Sequence, residues 1–473
     1  MISSVKLIPV TENSVPFTSA VKLCDLPQNG YVEEEYFFDG TANVYERTQD
    51  GGKQVRFSDA PYTSRFLLRR PADRERFSGN IIIEIMNSTP GHDLDRSWII
   101  TRKQIIRGGD VYIGLLSKPN VFAPMMKADP ERYAPLKWPN PDPDSEKNIS
   151  AAALTWQASP ETENGLYWDM LMDTARLVRS EDPMNPMSDF IKGKDVKVIL
   201  MGWSQSGGYM IRYMLDFADK EGKDCFDGYF SMGSAAVATP NLNQSEQTPP
   251  LEQNLRIAQP DRPFIDMHTE SENASFGTDM TKLENGPFYR AYDIAGPSHD
   301  TTYSEEEYYA KDNYLKKVGL DMAYGGIDEY PNSFPYQFPY QAALVALEKW
   351  IRTGKAPMTV EPIQVDENLK NVKDSDGNSI GGWRIPQIDY PVCAYYGTST
   401  AAKNPEDTLT AFVYGHEVPF TPEEIKKRYT DLATYRKLIT EKTDECIEKG
   451  LILEADREEA IERAVAKAAA YGL

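Results

Sequence analysis

DVKVILMGWSQSGG, Asp195 to Gly208, is the stretch whose reading decides the fold. Its first half, Asp195 to Met201, is a near-continuous apolar run rich in β-branched residues. A strand with one wet face would alternate, so this pattern predicts a strand covered on both faces. Next, Gly202 and Gly207 bracket Ser204. From Gly208 to Phe217 (GYMIRYMLDF), apolar residues then fall at three- and four-residue spacing, which predicts a helix. Strand, tight turn and helix in succession are what a nucleophile elbow requires, because the sharp turn lifts a serine hydroxyl off the sheet edge. Small residues on either side of the turn let the helix approach the strand. The commonest pattern is G-x-S-x-G, whereas this chain has Ser206 two residues after Ser204. The doubled glycine that follows leaves room for the extra atoms.

Working outward, Asn80 to Met86 (NIIIEIM), Asp110 to Leu116 (DVYIGLL) and Pro263 to Met267 (PFIDM) read as further buried strands, and Tyr289 to Ile294 (YRAYDI) is strand-like. Asn164 to Arg179 and Tyr340 to Ile351 carry helical spacing. Strand and helix in alternation predict an α/β fold with a doubly wound, mainly parallel sheet. Three segments, about 117–163, 235–262 and 301–339, exceed ordinary connections and are expected to be cap-like insertions over the site. Thr421 to Glu424 (TPEE) has the form of a capping box, so a helix should start there. About Asp431 to Cys446 and Glu454 to Ala470 then read as amphipathic helices. The expected organisation is one main domain over 1–415, with an N-terminal β elaboration, and a helical extension over 416–473 packed on it.

The 473 residues include 51 Lys and Arg against 72 Asp and Glu, a formal net charge of −21. Such a field repels phosphates and anionic lipid headgroups, so nucleic acid and membrane are not expected partners. A homo-oligomer is compatible with the composition. Cys24, Cys225, Cys393 and Cys446 lie far apart with neither C-x-x-C nor metal-ligand spacing, which reads as free thiols and no metal site. The first residues lack a long apolar leader, and no stretch is apolar for long enough to span a bilayer. The expectation is a cytoplasmic protein.

A serine hydroxyl needs a base to take its proton, and histidine suits that task near neutral pH. Of four histidines, His299 in AGPSHD follows a strand-like run and lies on a loop beyond the sheet edge. It is the candidate base. His92, His268 and His416 read as structural or lining residues. The acid belongs between Ser204 and His299 after a strand, where His268 to Glu272 (HTESE) presents Glu270 and Glu272. Usual spacing from the strand end places Glu272 slightly better, and both stay candidates. For an oxyanion hole, Gln205 supplies one main-chain N–H, and Asn87 or Ser88, after the Asn80 to Met86 strand, the other. A turn residue bonding its own backbone is an equal reading for Asn87. Glu84 inside an apolar strand predicts either a partner or a position near the site, and a structural ion pair is the favoured reading. Eight tyrosines between Tyr303 and Tyr340 read more readily as packing than as an aromatic wall over a ligand.

The chain resembles the bacterial family of alpha/beta-hydrolase-domain proteins, held to be carboxylic ester hydrolases. The likeness is carried by YVEEEYFFDGTANVY (Tyr31 to Tyr45), APYTSRFLLRRP (Ala60 to Pro71), the Ile81 to Asn87 strand, DPERY (Asp129 to Tyr133), GWSQSG (Gly202 to Gly207), Thr269 to Glu272, Ala295 to His299 and Val418 to Arg428. The GxSQSG elbow is similar to that family's own. The family's acid segment usually reads S/T-E-x-D, and here Glu272 stands where Asp is usual. The resemblance implies an α/β-hydrolase fold and a reaction class, ester hydrolysis. The residues themselves predict acyl transfer to water through an acyl-enzyme on a Ser204, His299 and glutamate triad, with a small-molecule ester substrate and no cofactor. Rival readings are a lactonase, amidase or acyltransferase with the same triad, or a non-catalytic binding protein on a hydrolase fold.

Overall fold

Each apolar run that the sequence marks as a strand is one. The computed structural model describes residues 1–145, 159–234, 240–246, 260–276, 283–319, 327, 329–399 and 408–473. Parts of the three long segments (146–158, 235–239, 247–259, 320–326 and 328) therefore lie outside the described residues. The chain divides into two units, Met1–Phe264 with Asp312–Asp321, and Ile265–Lys311 with Met322–Leu473.

In the first unit seven strands follow the order β1 (Ile2–Leu7), β2 (Tyr31–Arg47), β3 (Lys53–Pro71), β5 (Val111–Leu115), β4 (Asn80–Ile85), β6 (Lys197–Trp203) and β7 (Gly228–Met232). The β1–β2, β2–β3 and β3–β5 pairs are antiparallel. The β5–β4, β4–β6 and β6–β7 pairs are parallel. Every residue of β4 and β5 is buried, as expected of strands covered on both faces. Helices α1 (Arg96–Gly108), α2 (Tyr167–Val178) and α3 (Gln205–Asp216) connect or flank these strands. After β4 the chain passes through α1 to β5 on one side, and β6 lies on the other. Ile85 pairs with both Leu115 and Gly202, so the carboxyl ends of β5, β4 and β6 stand level. In an open α/β sheet, such a switch point is where ligand-binding loops converge.

The long β2–β3 hairpin departs from simple patterning because some of its inward positions hold ion pairs. Arg65, fully buried, pairs with Glu35 at 3.3 Å and with Asp93. Arg69 pairs with Glu33 at 2.8 Å and Asp95 at 2.6 Å.

Glu84 corrects the expected ion pair. Its carboxyl accepts hydrogen bonds from the main-chain N–H groups of Ser97 (2.6 Å) and Trp98 (3.0 Å) and from the Tyr112 hydroxyl (2.7 Å). The first turn of α1 thus supplies what a basic side chain was expected to supply.

The second unit contains β9 (Tyr289–Asp293) and β8 (Phe264–His268) from its second residue on. It also has a small antiparallel sheet in the order β10 (Tyr330–Pro331), β12 (His416–Pro419), β11 (Cys393–Tyr396). Its helices include α4 (Glu270–Phe276), α5 (Gln337–Thr353), α6 (Pro422–Tyr429), α7 (Leu432–Glu448) and α8 (Arg457–Ala470). The Thr421 capping box is present with both reciprocal bonds. Tyr303, Tyr308, Tyr309, Tyr336 and Tyr340 are buried, which favours the packing reading, while Tyr330 is exposed. All four cysteines are free thiols. Among the described residues no helix is long and apolar enough to cross a membrane.

Candidate active site

Ser204 links β6 to α3 with φ 56° and ψ −122°, in the positive-φ region that a side chain rarely adopts. Its N–H donates to the carbonyl of Met232, the last residue of β7, at 2.9 Å. The turn is tight enough to dictate its neighbours. A Cβ on Gly202 would lie 2.5 Å from the Ser206 carbonyl oxygen, and one on Gly207 would lie 2.4 Å from Ser234 Cβ. Ser206 is accommodated by turning inward: it is buried in the first turn of α3, whereas Ser204 is only half-buried. Helix α3 begins at Gln205, three residues before the apolar spacing suggests, because the elbow residues themselves take helical geometry.

The Gln205 N–H is the first of α3, and the first four N–H groups of a helix have no intrahelical acceptor. Across the β4–β6 pair lies the loop that begins with Asn87 and Ser88. Asn87 donates its N–H to Leu94 O and accepts from Leu94 N–H, both at 2.8 Å. Its amide Nδ2 donates to the Trp203 carbonyl at 3.1 Å, and its Oδ1 accepts from Thr89 N–H at 2.9 Å. Asn87 is therefore a turn residue bonded to its own backbone, and it also straps the loop to the elbow. Its N–H is engaged by the Leu94 carbonyl, which takes it out of the pair of candidates for the second oxyanion donor. The fully buried Ser88 next to it has no hydrogen bond from its N–H among the described residues.

In the second unit Glu272 and His299 come together, with Glu272 Oε1 at 2.5 Å from His299 Nδ1. The other oxygen, Oε2, accepts from both the N–H (2.5 Å) and the hydroxyl (2.7 Å) of Thr269. This is the capping-box relation, a glutamate reaching back to the Thr at the helix start, and it fixes the carboxylate before His299 meets it. Burial pushes the Glu272 pKa up. The charge and hydrogen bond of His299 and the two bonds from Thr269 outweigh that and hold it below the usual carboxylate range. His299 is oriented again through its main chain, since its N–H donates to Ser271 Oγ at 2.7 Å. Its ring lies 5.2 Å from that of Phe412.

Glu270 is bound elsewhere. Oε1 accepts from Gly296 N–H at 2.7 Å and Oε2 from Lys373 Nζ at 2.6 Å. It ties the start of α4 to the loop that carries His299. The remaining histidines have structural surroundings. His92 is buried and its pKa is pushed down to about 4 by desolvation. His268 sits between Asp266 and Asp293. The His416 ring stacks on Tyr396 at 4.5 Å.

Comparison with known proteins adds the family. The model of the alpha/beta hydrolase domain matches residues 4–462. The chain belongs to that family. No curated protein matches the chain. Among solved structures it is similar to the esterase Est22, at TM-score 0.34 and 13% identity over 63% of this chain and 81% of that one. It is also similar to Est1E from Butyrivibrio proteoclasticus, at 0.29 and 11% over 59% and 100%. A third is XC6422 from Xanthomonas campestris, described as an a/b serine hydrolase without lid, at 0.29 and 8% over 59% and 94%.

Proposed function

We propose that this α/β-hydrolase family member is a serine carboxylic ester hydrolase, with Ser204 as nucleophile, His299 as general base and Glu272 as the acid that orients it. The observation that carries the reading is the conformation of Ser204. A non-glycine residue at φ 56° and ψ −122° between a buried strand and a helix stores about 1–3 kcal/mol of strain. The Glu272–His299 pair supports it. With Nδ1 held by the carboxylate, Nε2 is the nitrogen that this reading assigns to proton transfer.

In this reading Ser204 Oγ attacks the ester carbonyl as His299 Nε2 takes its proton. The oxyanion accepts hydrogen bonds from the main-chain N–H groups of Gln205 and Ser88, the candidate whose N–H is not engaged. Collapse expels the alcohol, which takes the proton from His299, and leaves the acyl group on Ser204. Water, deprotonated by His299, repeats the attack and releases the carboxylic acid with Ser204 restored.

A fluorophosphonate probe and p-nitrophenyl esters test this directly. Wild-type protein should hydrolyse the esters and be labelled at Ser204 by peptide mapping. Ser204→Ala should lose both with an unchanged circular dichroism spectrum. Labelling at Ser206, or none at all, overturns the proposal.

A further inference from the structure

An oxyanion hole built from Gln205 and Ser88 draws its two N–H groups from different loops, so their spacing depends on whatever joins those loops. Lys118 joins them. It follows β5, the neighbour of β4 on the side away from β6, and leaves the sheet at the level where the other two loops leave. Its Nζ donates to Ser88 Oγ at 3.0 Å and to Gln205 Oε1, and lies 4.6 Å from the centre of the Tyr209 ring. Thr89 Oγ1 donates to the same Gln205 oxygen at 3.3 Å.

This ammonium is buried, and among the described residues no carboxylate lies within ion-pair distance of it. Desolvation alone pushes its pKa down to about 7. Burying an amine with no counter-ion is costly whether it keeps its proton or gives it up, and an apolar side chain of similar length would satisfy packing at less expense. The cost is understandable if the contacts serve the reaction. Both acceptors belong to the residues whose main-chain N–H groups face the oxyanion in the reading above.

We propose that Lys118 is a positioning residue of the oxyanion hole, fixing the separation of the Ser88 and Gln205 N–H groups by bridging their side chains. The proposal rests on the assignment of those two residues under Proposed function. Lys118 acts through them and touches no reacting atom.

The test uses the full chain with Lys118→Met, Gln205→Leu and the double variant, p-nitrophenyl acetate as substrate and a fluorophosphonate as probe. Misplacement of a catalytic group by about 1 Å can cost about a hundredfold, so Lys118→Met should lower kcat by about ten- to a hundredfold with KM nearly unchanged. The rate of phosphonylation at Ser204 should fall in parallel, because the phosphonyl oxygen occupies the same hole. Gln205→Leu, which keeps the main-chain N–H and removes the acceptor, should show the same KM-sparing loss. The double variant should lose less than the product of the single losses. If Lys118→Met fails to fold, Gln205→Leu alone decides. Wild-type kcat and labelling rate in the folded variants, or a loss carried by KM, overturns the role of Lys118 and leaves the hydrolase reading standing. Absence of Ser204 labelling in the wild-type protein overturns the reading beneath it.

Discussion

Glu270 and Glu272 are two residues apart, both buried and both on the first turn of α4, yet their partners differ entirely. Glu272 holds Nδ1 of His299, whereas Glu270 holds a main-chain N–H and Lys373. Removing the orienting acid of a triad costs about 10⁴ in turnover in a serine protease, because the imidazole takes the wrong tautomer and orientation. Glu272→Gln should therefore lower kcat on an aryl ester by about three to four orders of magnitude. Glu270→Gln should cost far less in kcat and act through the Gly296 loop, with a lower midpoint of thermal unfolding. Near-full activity in both variants would place the acid elsewhere. The T-x-x-E pattern at Thr269 to Glu272 is a capping-box signature. It was the sequence signal that could have separated the two glutamates, and spacing from the strand end was weaker.

At the scale of elements, Glu84 shows a strand and a helix settling a charge between them. Its carboxyl caps the first turn of α1, and burial, followed by the nearby charge of Asp95, raises its pKa from an ordinary 4.5 to about 8. The folded protein then keeps a proton that the unfolded chain loses, so the folded state binds more protons between those two values. Stability should fall as pH rises through this window, most of the change being complete by about pH 8. Glu84→Gln cannot ionise and should flatten that slope. Urea unfolding of both proteins at intervals from about pH 5 to pH 8.5 checks it, and parallel slopes would sink the idea. Asp93, raised to about 6 chiefly by burial, titrates in the same window in both proteins, so the difference in slope reports Glu84 together with its coupling to Asp95.

For the molecule as a whole, the C-terminal helices share a core with the rest of the second unit. Val392 packs with Ile425 and Tyr429 of α6, Tyr435 and Ile439 of α7, and Ile461, Ala464, Val465 and Ala468 of α8. Ile439 is fully buried there, so Ile439→Ala should cost about 2–5 kcal/mol, read as a shift in the urea midpoint. A shift below about 0.5 kcal/mol would mean that these helices contribute little to the unit's stability.

The sequence by itself determined the elements whose pattern is local. The apolar runs at Asn80 to Met86 and Asp195 to Met201 are strands because burial on both faces leaves them few polar positions, and the glycines around Ser204 mark a turn with no room for a Cβ at positions 202 and 207. The Thr421 cap was legible because its bonds span three residues. What lay beyond local pattern was decided by tertiary structure. The β2–β3 hairpin was not evident from hydropathy, since Glu33, Glu35, Arg65 and Arg69 are charged and become buried only because partners from distant segments neutralise them. Glu84 found its partners on α1 for the same reason. The engagement of Asn87 N–H by Leu94 and the bridge from Lys118 to Ser88 and Gln205 depend on loops that leave three adjacent strands at one level. Charge reads as surface in a linear pattern, and only the fold supplies the counter-charge or hydrogen-bond partner that allows it inside.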